Sequence, residues 1–187
     1  MATQNSAPSL PPPPGPGQFF LRTQSLPGAA AGRFDGLYLR QYSVDDIAVV
    51  LTQSPPKFLR ANVGNTETKT GINFTSWAPQ HAGRKWGLVL RDNDGGKAGA
   101  ALWKRVEISE GRSDESVRVI AVAGEGSDEV AEAREELRGG ERWAGWMVCE
   151  WSLGHPQLFW VTDQLRDRKL PDFSERVRIV REVISSV

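Results

Sequence analysis

The chain has 187 residues, and its 23 Lys and Arg balance its 23 Asp and Glu, so the formal net charge at pH 7 is zero. A chain of this length can bury the core of one domain without disulfide support. A balanced charge creates no bulk field that would attract nucleic acid or an anionic membrane surface. We therefore expect one domain that binds neither nucleic acid nor membranes.

The start of the chain is rich in proline. Residues 1–17 end in Leu10-Pro-Pro-Pro-Pro-Gly-Pro-Gly17, a composition that favours extended, unpacked chain and predicts a disordered leader. Docking of its prolines on a partner is the alternative, although no Lys or Arg flanks them. The first residues lack the basic start and apolar core of a signal peptide, and no stretch reaches the roughly 18 apolar residues of a membrane span. The expected location is therefore cytoplasmic by default.

Short strands are predicted from residue 18 onward. Gln18–Arg22 begins the series, and a hairpin follows in which Leu37 and Leu39 share a face with Val49 and Leu51. Turn-forming residues separate further candidates roughly 10 to 15 residues apart, a spacing typical of all-β proteins. These candidates are residues 57–61, 71–75, 86–90, 100–108 and 117–122.

A charged segment interrupts this rhythm at about residues 110–141. Within it, Ser127 through Arg138 reads as a helix that Ser127 caps and Gly139 ends. Val130 and Leu137 are almost its only apolar residues, which favours an exposed helical insertion that is not needed for folding.

The most aromatic segment spans residues 143–161 and holds four of the seven tryptophans, with a turn at Gly154. Two short apolar runs around a turn predict a hairpin. A turn centred near Gly154 pairs Cys149 with Phe159 and Met147 with Val161, and period-2 alternation places these four residues on one face and Trp146, Val148, Leu158 and Trp160 on the other. Two apolar faces indicate central strands, so we expect Cys149 to be buried and unreactive. The C-terminal residues 174–184 are predicted to form another strand.

Together these elements predict one all-β domain over residues 18–187. The expected architecture is an antiparallel β-sandwich or barrel of about eight to ten strands with one inserted helix. Three loosely similar blocks of about 45 residues make a β-trefoil the alternative.

Catalytic signatures are sparse. The two histidines, His81 and His155, belong to no closely spaced metal-ligand pair, and the chain contains no nucleophile elbow, phosphate-binding loop or dinucleotide fingerprint. We expect neither a metal nor a cofactor, and no catalytic residue is singled out. A hydrolase that uses carboxylates such as Glu150, or His155, remains an alternative.

Several motifs resemble an uncharacterised family of fungal proteins with a domain of unknown function. They are Phe20-Leu-Arg-Thr23, Gly36-Leu-Tyr-Leu39, Trp86-Gly-Leu-Val89 and, above all, Gly145-Trp-Met-Val-Cys-Glu-Trp151 with Gly154-His-Pro-Gln-Leu-Phe-Trp160. The resemblance covers about residues 18–184 and implies a small β-rich domain. It implies no activity, cofactor or catalytic residue.

The surplus of tryptophan without catalytic motifs favours a non-catalytic binding module. Trp77 and Trp86 flank the polar loop Ala78–Lys85, and we expect them at an exposed rim where an indole could stack on a glycan or another small ligand. Two alternatives stay open, namely an interaction or scaffold protein acting through the leader and the acidic helix, and the hydrolase.

Overall fold

The computed structural model contains twelve strands in its described parts. It describes residues 12–28, 32–43, 49–57, 59–65, 67, 70–76, 81, 84–91, 102–111, 113–121, 129–133, 142–150 and 154–184. The strands are β1 (Phe19–Ser25), β2 (Tyr38–Gln41), β3 (Val49–Thr52), β4 (Leu59–Asn65), β5 (Thr70–Ser76), β6 (Trp86–Leu90), β7 (Trp103–Glu110), β8 (Val117–Ala121), β9 (Glu129–Ala133), β10 (Trp143–Glu150), β11 (Pro156–Thr162) and β12 (Ser174–Val183). A 3₁₀ turn, Asp163–Leu165, follows β11.

The strands pair antiparallel into a closed barrel. Ten of them follow one another as β10-β12-β9-β8-β5-β4-β1-β2-β3-β11, and the β10–β11 pairing closes this ring. The prediction of an all-β barrel of about ten strands is therefore confirmed. Closure leaves few exposed strand edges, which protects a β protein from edge-to-edge association.

One further pairing divides the ring. β1 pairs with β12 over seven positions, from Phe19↔Val183 to Ser25↔Val177, so that β1, β4, β5, β8, β9 and β12 form a smaller closed ring. The hairpins β2–β3, β6–β7 and β10–β11 attach to it. A six-strand ring with three hairpins is the connectivity of a β-trefoil, the architecture expected as the alternative.

The barrel interior is filled by the inward-facing side chains of the strands. Phe19, Ile72, Leu88, Ile108 and Trp160 are almost fully buried in one large apolar cluster. Burial at every second position is what a strand with one face on the core requires. The hairpin predicted around Leu39, Val49 and Leu51 is confirmed, and all three side chains enter this cluster.

The β10–β11 hairpin is apolar on both faces, as predicted. Trp146, Val148, Leu158 and Trp160 pack in the main cluster, whereas Met147, Cys149, Phe159 and Val161 form a second cluster with Leu165. The expected pairing of Met147 with Val161 is wrong, because Met147 pairs with Phe159. This two-residue shift keeps every side chain on its predicted face, since faces repeat every second residue.

The predicted helix is wrong over residues 129–133. These residues form β9, which pairs with β8 from Val117↔Ala133 to Ala121↔Glu129 and with β12 at Ile179↔Ala131. Val130, Ala131 and Ala133 are buried. Because its strand completes the smaller ring, this part of the chain is a structural element of the barrel and not an exposed insertion.

The two ends of the chain differ in what the structure describes. The strand predicted for residues 174–184 is confirmed as β12. The disordered leader stays a prediction, because residues 1–11 lie outside the described residues. Across the described parts of the chain, no helix has the length and apolar character needed to cross a bilayer.

Candidate ligand-binding groove

An open groove with a volume of about 540 Å³ lies where β4 and β5 meet the start of β6 and the turn after β7. We call it the β4–β7 groove. Its lining residues are Asn62, Gly64, Thr70, Asn73, Phe74, Thr75, Arg84, Lys85, Trp86, Gly111, Ser113 and Glu115. The volume is in the range of sites that hold a small organic ligand, about 300 to 1,000 Å³.

Strand register brings two amide side chains together in the groove. Asn62 on β4 lies directly opposite Asn73 on β5, and the neighbouring Phe74 lies opposite Trp86 on β6. Cross-strand neighbours stand about 4.5 to 5.5 Å apart at Cβ, so such pairs present their side chains together. Each amide offers both donors and an acceptor. The groove can therefore bind hydroxyl-rich or amide-bearing groups, whereas the Phe74 and Trp86 side chains point to the core side of the sheet, where they are 5% and 3% exposed.

Two glycines allow the turn after β7 to close one side of the groove. A Cβ on Gly87 would lie 2.5 Å from both the backbone nitrogen and the Cα of Ser113, and a Cβ on Gly71 would lie 2.5 Å from the Ser113 hydroxyl oxygen. Such distances are far inside van der Waals contact, so only glycine fits. The Asp114 amide then donates to the Leu88 carbonyl at 2.8 Å. The turn is thus fixed against the sheet by close approach and by a hydrogen bond.

The chain just before β6 supplies positive charge. Arg84 and Lys85 are both exposed at the groove. Arg84 forms an ion pair with Glu110 at 3.2 Å between two roughly half-exposed side chains, and a pair of this kind contributes only about 0 to 1 kcal/mol to stability. Glu115 also lines the groove, so the site carries both signs of charge.

Trp86 lines the groove but is not an exposed stacking platform. Its side chain is only 3% exposed and packs in the main apolar cluster, which contradicts the expectation of a position at an exposed rim. Its Nε1 is buried and has no hydrogen-bond partner among the residues that the structure describes. Trp77, the second candidate, lies outside the described residues.

His81 lies against Trp86 on the side of the core. The two ring centroids are 4.7 Å apart, and His81 is 7% exposed. The Ser76 hydroxyl and His81 Nδ1 form a hydrogen bond of 2.8 Å, whereas His81 Nε2 has no partner within the described part of the chain. Burial lowers the pKa of His81 below its usual value, and Arg84 lowers it further against an opposing effect of Glu110. Neutral imidazole is the form that fits this environment.

Residues 16–183 match the family described as a domain of unknown function, DUF7907. The chain belongs to this family. The resemblance to an uncharacterised domain family is therefore confirmed, and no curated protein or solved structure matches the DUF7907 chain.

The other residues considered for chemistry in this DUF7907 domain lie outside the groove. Cys149 is buried, as predicted, and its pKa is raised by burial and by the charge of Glu150. Glu150 itself is exposed and pairs with Arg33 at 3.5 Å, while His155 is exposed near the Tyr42 ring. Within the described ranges, no group of three or more His, Cys, Asp or Glu side chains could hold a metal ion.

Sequence reasoning missed most of the groove of the DUF7907 domain. Asn62 and Ser113 carry no motif, and they come together with Asn73 only through strand pairing and one turn. Gly87 carried a usable signal, since an isolated glycine inside an apolar strand indicates close approach of another backbone. That signal would have pointed to a packed turn beside Trp86.

Proposed function

We propose that this DUF7907 domain is a non-catalytic binding module whose β4–β7 groove takes a neutral glycan or another small ligand with hydroxyl groups and an apolar face. The observation that carries the proposal is the pairing of Asn62 with Asn73 in a groove of about 540 Å³ whose lining also includes Phe74 and Trp86. Sugar rings carry hydroxyls around their edge and C–H groups on their faces, so they match a groove whose lining includes both amide and aromatic residues. The fungal origin implied by the C-terminal motifs is part of the same proposal.

The roles within the groove follow from exposure. Trp86, at 3% exposed, supplies a rigid apolar wall and does not offer a free ring face. Asn62 and Asn73 are half-buried on neighbouring strands, which favours fixed hydrogen-bonding geometry over mobile surface contacts. Ordered polar groups lose less entropy on binding and so favour a specific small ligand. Trp77 is proposed as a second aromatic group of the site, and its position in the sequence is the only support for this role.

The experiment is a glycan array probed with the wild-type chain and with groove variants. Asn73→Ala and Lys85→Ala should each reduce the signal on the glycans that the wild-type chain binds, while Lys169→Ala serves as the matched control. Lys169 is 87% exposed at its side chain and does not line the groove. Melting curves of all variants separate lost binding from lost folding. Equal signals for Asn73→Ala, Lys85→Ala and the wild type would remove the groove from the proposal.

A further inference from the structure

His81 is a buried imidazole with no acceptor, among the described residues, for the second N–H that protonation would add. Its Nδ1 is occupied by the Ser76 hydroxyl at 2.8 Å, and Nε2 is buried without a partner among the described residues. A neutral imidazole can leave Nε2 as an unused acceptor. An imidazolium would place a charged N–H donor there, and an unpaired buried charge costs far more than an unused acceptor.

The surrounding charges do not favour a proton on His81. Arg84, from the segment before β6, lies close enough to oppose protonation, and Glu110, at the end of β7, acts in the other direction while it is ion-paired with Arg84. The flanking residues 77–80 and 82–83 are Trp-Ala-Pro-Gln and Ala-Gly, and none of them carries a titratable side chain. The Trp86 ring, tilted by 45° to the imidazole, offers a cation–π attraction to an imidazolium, but an indole has no lone-pair acceptor for the Nε2 hydrogen bond.

We propose that His81 is a proton-sensitive support for the groove wall at Trp86, so that the groove is intact while His81 is neutral and is disrupted when His81 is protonated. The ring contact of 4.7 Å couples the two residues directly. Because Trp86 packs His81 and also lines the groove, movement of a charged His81 toward solvent removes a side-chain neighbour of that wall. The structural change needs no ligand, whereas release of a glycan at low pH rests on the proposed function.

The direction of the pH effect follows from the pKa of His81. The folded protein holds the proton less tightly than the unfolded chain, whose imidazole pKa is about 6.5. The unfolded state therefore binds more protons below that pH, and the fold loses stability as the pH falls through this region. Above about pH 6.5 the effect is absent, and the groove is in its binding form.

The test is an NMR titration of the full ¹⁵N-labelled chain from about pH 7.5 to about pH 4.5, a range that spans the ordinary imidazole pKa of about 6.5. The Trp86 indole resonance is assigned by its loss in Trp86→Phe, and the His81 ring resonance by its loss in His81→Gln. We expect both to shift with one midpoint below about 6.5. The indole shift should persist in His155→Gln, which removes the exposed histidine, and vanish in His81→Gln.

Three results would overturn the proposal. His81 could stay neutral until the protein unfolds, it could titrate while the Trp86 indole resonance stays fixed, or the indole resonance could shift equally in His81→Gln. The first two results need only the wild-type chain and His155→Gln, in which His81 is the single remaining histidine. They can therefore overturn the proposal even if His81→Gln folds poorly.

Ligand binding separates this proposal from the proposed function. Any methyl glycoside of glucose, galactose, mannose or N-acetylglucosamine that binds at about pH 7.5 should lose affinity by about tenfold per pH unit below the His81 pKa, the effect of one linked proton. Binding that is independent of pH would overturn ligand release by His81. A coupled titration of His81 and Trp86 without binding of any glycoside would instead count against the proposed function alone.

Discussion

Trp146 on β10 lies directly opposite Trp160 on β11, and both side chains are buried in the main apolar cluster. Each indole N–H donates to a distant backbone carbonyl. Trp146 donates to Ala131 at 2.6 Å, and Trp160 donates to Arg91 at 3.2 Å. The pair therefore ties the β10–β11 hairpin to β9 and to the segment after β6.

Removing either indole should be severely destabilising. Trp146→Ala and Trp160→Ala are each expected to lower the free energy of unfolding by about 3 to 5 kcal/mol, the usual effect of deleting a large buried aromatic side chain. The carbonyl left without its donor adds to the loss. Guanidinium denaturation followed by circular dichroism measures the change. Leu26→Ala, at a residue 38% exposed, is the control and should stay within about 0.5 kcal/mol. Losses below about 1 kcal/mol for both tryptophan variants would contradict this packing.

The strand β9 should be essential to the barrel. Val130→Asp places a carboxylate in a site that is 2% exposed, and replacement of residues 124–140 by a Gly-Ser linker removes β9 altogether. We expect both changes to prevent cooperative unfolding, because an unpaired buried charge or an open barrel edge costs several kcal/mol. Thermal melting gives the answer, with the half-buried Glu132→Gln on the same strand as the matched control. A linker variant that melts within a few degrees of the wild type would show that β9 is dispensable.

Gly87→Ala tests the close approach of the turn after β7. The added Cβ would lie 2.5 Å from Ser113 backbone atoms, so the turn must move away from the sheet. Overpacking of this kind costs about 1 to 3 kcal/mol, and the groove should change shape with it. Gly15→Ala is the control, because its Cβ would meet nothing closer than 3.6 Å. If both alanine variants are equally stable, the turn does not press on Gly87.

Cys149 should react slowly with a thiol reagent in the native protein and rapidly after denaturation. It is 1% exposed, and its pKa is raised by burial and then by Glu150. Both effects keep the sulfur in the thiol form, and the thiolate is the reactive species. Absorbance of released thionitrobenzoate at about pH 8, where the ordinary thiol of pKa about 8.5 is partly ionised, follows the reaction. Native labelling as fast as that of the denatured chain would contradict the burial.

Local pattern predicted the strands whose side chains alternate between two environments. The face assignments of Met147 and Trp146 follow from period-2 alternation alone, and they hold although the register is shifted by two residues. Register depends on the turn between the strands. Because both faces of the hairpin are apolar, a shifted pairing would bury no further polar side chain, so the sequence pattern does not select one register. The pattern therefore determines the faces but not the partners.

Residues 129–133 show where local pattern failed. Glu129-Val-Ala-Glu-Ala133 has the composition of a good helix, yet its backbone pairs with β8 and β12. Tertiary pairing overrides intrinsic propensity when a strand completes a barrel. The groove was out of reach for a related reason, since Asn62 and Ser113 are brought together by β4, β5 and the turn after β7, which no short window of sequence can show.

The most direct test of the proposed binding groove is chemical-shift mapping of the ¹⁵N-labelled chain at about pH 7.5, above the ordinary imidazole pKa of about 6.5, during titration with the same methyl glycosides. The account predicts that at least one glycoside binds in a saturable way and that the largest shifts fall on Asn62, Asn73, Lys85 and Ser113, which line the groove, with little change at Lys169. Saturable shifts centred on another surface, or no saturable shifts with any of the glycosides, would contradict it.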